Sequence, residues 1–224
     1  KKRRDLTCGE MVAQILYVQQ EMDKEDARVS HIVVMGTGEP FDNYENLKVF
    51  LANIHDKDGL GISYRNITVS TCGLIPKIES FAKELKQVNL AISLHSADSQ
   101  MRSSIMPVNN AYPVDDLLEA CRAYTEETGR RITFEYTLVK GKTDTKEQID
   151  LLADKLKGML CHVNLIPLNE VEETGLFGSN RKRASEIAAY LENRGIPATV
   201  RRELGADINA ACGQLRLGEQ EKNK

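Results

Sequence analysis

Five short stretches of this 224-residue chain carry side chains that could do chemistry. Gly36-Thr37-Gly38-Glu39-Pro40 has two glycines that let the backbone approach a ligand and a proline that stiffens the exit. Glu39, held between them, offers a carboxylate to an amine, and backbone groups around Gly38 can bind a polar ligand. An ordinary turn with an exposed glutamate fits the pentapeptide equally well. Ser70 and Ser93 close two apolar runs, where a hydroxyl can bond a ribose or carboxylate group or simply cap a helix. His95 ends residues 90–95 and suits a histidine satisfied at a sheet rim; Asn169, just after residues 163–167, suits a ribose contact or a turn cap. Cys212 lies in the segment Gly205-Ala206-Asp207-Ile208-Asn209-Ala210-Ala211-Cys212-Gly213-Gln214-Leu215. Its small neighbours clear space around the sulfur, as a nucleophile facing a large substrate requires. A free cysteine also serves as a small buried hydrophobe. No histidine lies near it in sequence, so Cys-His hydrolysis has no support.

The elements that must position these residues are legible as an alternation. Thr7-Cys8-Gly9-Glu10 has capping-box spacing and opens an amphipathic stretch with Met11, Ile15 and Val18 at helical intervals. His31-Ile32-Val33-Val34-Met35 is a continuous apolar run suited to a strand buried on both faces, and Leu47, Leu51 and Ile54 mark the next helix. Further apolar, mostly β-branched runs fall at residues 67–70, 90–94, 132–138, 163–166 and 198–200. Helical patterns around residues 75–85, 114–124, 146–156 and 183–193 separate them. This is the period of βα units and predicts a parallel sheet in one domain, either doubly wound or a full or partial β/α barrel. The G-x-G-x-x-G fingerprint is absent after the first run, which weakens the dinucleotide-binding choice. In a barrel, residues 36–39, Ser70, residues 93–95 and Asn169 all converge on one mouth, and such convergence is what a cofactor pocket needs.

Composition excludes several classes. With 41% hydrophobic residues, 15 glycines, 6 prolines and five cysteines, the chain is not collagen-like, disordered or a disulfide scaffold. Cys8, Cys72, Cys121, Cys161 and Cys212 are too widely spaced for a CxxC metal site, so no metal ligands are assigned. No apolar run approaches the roughly 20 residues of a membrane helix. The start, Lys1-Lys2-Arg3-Arg4-Asp5, has neither an initiator methionine nor a signal peptide, so the expectation is a cytoplasmic chain starting partway through a longer protein. A net charge of −3 is no polyanion-binding signature. Basic residues nevertheless cluster at 1–4, at Arg181-Lys182-Arg183 and at Arg201-Arg202.

Taken together, residues 33–43 (VVMGTGEPFDN), 67–73 (ITVSTCG), 91–96 (AISLHS), 163–169 (VNLIPLN) and 200–215 (VRRELGADINAACGQL) resemble the RlmN/Cfr family of radical SAM RNA methyltransferases. The likeness runs in order from about residue 5 to 218. It implies an α/β fold, a partial (β/α)6 radical SAM barrel lacking its first, cluster-bearing strand, spanning residues 1–224 with a catalytic-cysteine loop at about 203–217. It implies S-adenosylmethionine (SAM) held by Gly38, Glu39, Ser70, Ser93, Leu94, His95 and Asn169. It implies that Cys212 accepts a methyl group from one SAM, while a second SAM, cleaved at a 4Fe–4S cluster, supplies the radical that activates that methyl. Such a device suits C2 of adenine, which is no nucleophile; the cofactor carries the hard step and the protein positions it.

The resemblance further implies 23S ribosomal RNA near the peptidyl transferase centre and transfer RNA beside the anticodon as substrates. It implies an electron donor such as flavodoxin or ferredoxin, and a monomer. The C-x3-C-x2-C motif that ligates the cluster in this family, the acidic general base and an N-terminal RNA-binding extension all lie upstream of Lys1. The expectation is therefore a fragment unable to turn over by itself. Three alternatives stay open: a C8-modifying member of the family, a non-catalytic SAM- or RNA-binding remnant, and an unrelated barrel lyase or aldolase using Lys140 or Lys142.

Overall fold

The computed structural model describes residues 4–35, 38–168 and 177–201. Helix α1 (Cys8–Asp23) starts at the expected capping box: Thr7 accepts from the Glu10 N–H while the Glu10 carboxylate accepts from the Thr7 N–H. Met11 and Ile15 pack against the core, but Val18 is exposed, so the helix presents a narrower apolar stripe than its spacing suggests. Then come β1 (Ile32–Val34), α2 (Tyr44–His55), β2 (Ile67–Thr71), α3 (Ile75–Glu84), β3 (Asn89–Ser93), α4 (Ser99–Ile105), α5 (Val114–Thr128), β4 (Ile132–Leu138), α6 (Lys146–Leu156), β5 (Cys161–Pro167), α7 (Arg181–Asn193) and β6 (Ala198–Val200).

The six strands are all parallel and lie in the order β1-β2-β3-β4-β5-β6. That order decides between the two architectures. Parallel crossovers are right-handed, so a sheet wound in one direction places every crossover helix on the same face, whereas a doubly wound sheet must reverse. The fold is a partial barrel.

Its two faces differ in chemistry, because successive strand side chains alternate. Ile67, Val69, Leu90, Ile92, Leu94, Ile132, Phe134, Tyr136, Leu138, Val163 and Leu165 are buried in the hydrophobic core cluster. Each large side chain so buried contributes about 1.5–3 kcal/mol. The intervening positions are largely polar: Thr68 and Ser70 on β2, Asn89 and Ser93 on β3, Thr133, Glu135 and Thr137 on β4, His162 and Asn164 on β5, and Thr199 on β6. Register aligns Ser93 with Glu135, Glu135 with Asn164, and Asn164 with Thr199. A polar row thus crosses the inner face at right angles to the strands. The isolated short helix α4 has no apolar period and is capped by Asp98, whose carboxylate accepts from the Met101 N–H at 2.7 Å. Among the described residues, no helix is long and apolar enough to cross a membrane.

Candidate functional site

Glu39 is held more tightly than a surface turn would hold it. It caps the 3-10 turn Pro40–Asn43, with Oε1 accepting from the Phe41 N–H at 2.9 Å. Oε2 accepts from the Cys72 N–H at 2.8 Å, just past β2. The carboxylate therefore ties the loop after β1 to the end of the neighbouring strand. Each oxygen retains an acceptor site, so an ammonium group can still be received. Gly38 before it has φ +122°, a conformation that only glycine adopts without strain.

Ser70 is buried on the inner face, and its hydroxyl has no hydrogen-bond partner among the described residues. Two residues on, Cys72 is no nucleophile: burial first, then the neighbouring Glu39 carboxylate, push its thiol up to about 12. Cys161 is pushed up to about 11 and Cys121 higher still, both chiefly by burial.

The Ser93–His95 segment turns sharply off β3. The Leu94 and His95 N–H groups both donate to the Glu135 carbonyl, at 3.0 and 3.1 Å. His95 takes a left-handed φ of 57°, uncommon for a non-glycine residue and a strain that clusters at ligand sites. Its Nδ1 lies 3.0 Å from the Thr137 hydroxyl. Burial, with a smaller push from the Arg102 cation, lowers its pKa to about 4, so the imidazole is neutral at physiological pH. A neutral ring keeps one acceptor and one donor nitrogen.

Three features of the site lie outside the sequence reading. Arg102, on α4, is 0% exposed and has no carboxylate within salt-bridge distance among the described residues. Its guanidinium donates instead to the carbonyls of Leu94 (3.1 Å), Cys72 (2.7 Å) and Ser93 (3.3 Å) and to Oδ1 of Asn109 (3.1 Å). Asn109 is fixed in turn by donating to Ser99 and Ser103. One buried cation thereby gathers the ends of β2 and β3. The second feature is Glu135, 6% exposed and bonded by the Asn164 amide at 2.9 Å; burial raises its pKa, opposed by Asn164 and Arg201. The third is Thr137, which orients His95. A charged residue inside the apolar run of β4 was the available signal for Glu135; nothing in the polar stretch of α4 marks Arg102.

The structure therefore brings Gly38, Glu39, Ser70, Ser93, Leu94 and His95 to the C-terminal ends of three adjacent strands. Asn169 and Cys212 lie outside the described residues. Lys140 and Lys142 are solvent-exposed, which does not suit the enclosed amine of an aldolase.

The family model of the radical SAM superfamily matches residues 10–156. The chain belongs to the radical SAM superfamily. This radical SAM chain is 50% identical over 215 residues to "Probable dual-specificity RNA methyltransferase RlmN" of Thermoanaerobacter sp. (strain X514), covering 96% of this chain and 62% of that one. It is 51% identical over 220 residues to the protein of the same name from Bacillus thuringiensis (strain Al Hakam), covering 98% and 61%. A solved radical SAM methyltransferase from Sphaerobacter thermophilus superposes with a TM-score of 0.91 at 46% identity, over 95% of this chain and 62% of that one. SuiB of Streptococcus suis, solved with S-adenosylmethionine bound, shares the fold alone, at TM-score 0.62 and 17% identity over 90% of this chain and 45% of that one. The chain thus spans a little over three-fifths of the length of the curated relatives it matches.

The residues at the strand ends fit SAM: a carboxylate for its amino group, the Ser70 hydroxyl, which has no partner among the described residues, and a neutral histidine. They do not fit an iron–sulfur cluster, because no three His, Cys, Asp or Glu residues lie together among the described residues.

Proposed function

We propose that this chain is the SAM-binding barrel of an RlmN-type RNA methyltransferase, methylating C2 of adenosine in 23S ribosomal RNA and in transfer RNA. The observation that carries the reading is the Glu39 bridge to Cys72, set beside Ser70 and the Ser93–His95 turn, in a chain half identical to proteins named RlmN. SAM supplies the methyl group and the means of activating an unreactive aromatic carbon. The chain's own residues bind and orient it. Glu39 receives the methionine ammonium, and the Gly38 backbone comes close to it. Ser70, Ser93 and neutral His95 take the carboxylate and ribose groups, and Asn169, which lies outside the described residues, is assigned to the same ligand by the family resemblance alone. Leu94 seals the turn beneath, and Arg102 holds the strand ends at the spacing the ligand needs. Cys212 carries the transferred methyl.

Isothermal titration of the chain with SAM tests the pocket: binding should weaken tenfold or more in Glu39→Gln. Equal affinity in the variant would remove Glu39 from the site. The mass of the peptide spanning residues 203–216, from protein produced in the cell at its natural length, tests the chemistry. A methyl group on Cys212 supports the methyl-carrying role; an unmodified thiol from cluster-loaded protein leaves a SAM-binding module only. Product mapped to adenine C8 would reassign the regiochemistry.

A further inference from the structure

Two segments at the mouth of the barrel are knitted into one stiff rim. The loop after β4 and the segment before α7 meet in an antiparallel bridge between Val139 and Gly178. The Lys140 N–H donates to the Phe177 carbonyl at 2.9 Å, and the Ser179 N–H to the Leu138 carbonyl at 3.3 Å. Buried Asp144 fastens both sides: Oδ1 accepts from the Gly141 N–H at 2.6 Å, Oδ2 from the Ser179 hydroxyl at 2.7 Å, and its carbonyl from Arg183 Nη2 at 2.8 Å. Gly178 passes so close that a Cβ there would lie 1.9 Å from the Leu168 carbonyl oxygen.

This rim presents an unusual combination to solvent. Phe177 is 59% exposed although the backbone beneath it is fixed. On the two bridged segments and the start of α7, Lys140, Lys142, Arg181 and Lys182 are exposed and form no ion pair among the described residues. The neighbouring cations Lys146 and Arg183 are paired, with Asp150 and Glu186, so among the described residues the acids beside the rim are engaged apart from exposed Glu147, while Glu170, Glu172 and Glu173 lie outside the described residues. The rim also stands on the strand that orients His95. The Thr137 hydroxyl bonds the His95 ring, and the Thr137 carbonyl accepts from the Thr143 hydroxyl at 2.6 Å.

From this arrangement we propose that the rim is a binding surface for single-stranded RNA, with Phe177 stacking on a base and Lys140, Lys142, Arg181 and Lys182 facing its phosphates. The proposal rests on the RNA-methyltransferase reading for the choice of polyanion. An unstacked base offers a π-face to an aromatic side chain, which a duplex hides, and cations beside the ring track the backbone. Pre-organisation by Asp144 and Gly178 means that little ordering entropy is lost on binding.

The test is fluorescence anisotropy of the chain with a labelled ten-nucleotide single-stranded RNA of mixed sequence, across a series of KCl concentrations. Phe177→Ala should weaken binding roughly 5- to 100-fold with an unchanged salt slope, and Phe177→Trp should retain it. Replacing Arg181 and Lys182 together by serine should flatten the slope of log K against log salt by about 1.4, some 0.7 per phosphate contact. The Lys140 and Lys142 pair should behave alike. SAM affinity, titrated in parallel, should stay within about twofold of the parent in every variant, which also reports that the variants fold. Unchanged RNA affinity in Phe177→Ala, an unchanged slope in both charge variants, or equal affinity for an RNA duplex would overturn the proposal. Rim variants behaving as expected in a chain that binds no SAM would sink the cofactor reading and leave the rim standing.

Discussion

At the ends of β2 and β3 the backbone is gathered by a buried cation from a separate helix, whereas at the end of β1 it is held by a carboxylate from the loop itself. The first arrangement is deep and over-determined: Arg102 makes four hydrogen bonds, and Asn109 fixes it in place. The second is shallow. Strand β1 has three residues, Val33 on it is 60% exposed, and α1 alongside has no fully buried residue. Glu39 joins the two strand ends through the Cys72 N–H, while Arg102 holds the carbonyl of the same Cys72. The lesson is that one wall of the site is tied together by its own buried cation, whereas the strand end of the other is tied through a carboxylate to the first.

Breaking the cation-held wall should have the largest effect. Arg102→Met leaves several buried acceptors unpaired at about 1–3 kcal/mol each, and equilibrium urea unfolding should show a loss of about 4 kcal/mol. Arg102→Lys, with fewer donors and no planar fork, should recover part of that. A loss under about 1 kcal/mol in the methionine variant would show that water replaces the guanidinium and that the wall is not held by it.

The next effect is a pH dependence. His95 sits at about 4 in the folded chain against an ordinary value of 6.5, first through burial and then through Arg102. The unfolded chain therefore takes up the proton first. Stability from this residue is complete well above pH 6.5 and falls as pH drops through about 4, by roughly 3 kcal/mol across the window. The difference in unfolding free energy between the parent and His95→Asn, a residue that tolerates the left-handed conformation, isolates this component; a pH-independent difference would contradict it. In Arg102→Lys the window should stay, since the charge remains.

Glu39→Gln exchanges a charged acceptor for a neutral amide at the junction of the two walls. A loss of about 1.5 kcal/mol is expected on unfolding, smaller than for Arg102 because the site is partly solvated. At the other extreme, Val33→Thr on the exposed face of β1 should change stability by less than about 0.5 kcal/mol. A larger cost there would mean that the inner face of β1 is covered more thoroughly than the described residues show, and the contrast between the walls would weaken.

Most of the frame was legible because its signals are local. The runs at residues 67–70, 132–138 and 163–166 each fall within an observed strand, the run at 90–94 overshoots β3 by one residue, and the capping box at Thr7–Glu10 forms as its spacing dictates. Glycine before Glu39 and serines at strand ends were likewise visible as residue types in a pattern. Arg102 was not. It lies in Ser-Gln-Met-Arg-Ser-Ser-Ile, a polar stretch that resembles any exposed helix, and its partners are 7, 8, 9 and 30 residues away in sequence. Phe177 was equally silent, since an aromatic residue beside glycine reads as a buried anchor as readily as an exposed one.

The sequence by itself determined the alternation of strands and helices, the superfamily and the identity of the residues at the strand ends, because periodicity and turn chemistry act over a few residues. Only the tertiary structure decided that the sheet runs in one direction, and that Ser93, Glu135, Asn164 and Thr199 form one polar row. It alone placed the guanidinium of Arg102 under two strand ends and left Phe177 uncovered on a stiff rim. The physical reason is that these outcomes depend on register and on the pairing of buried polar groups, which are settled between segments far apart in the chain.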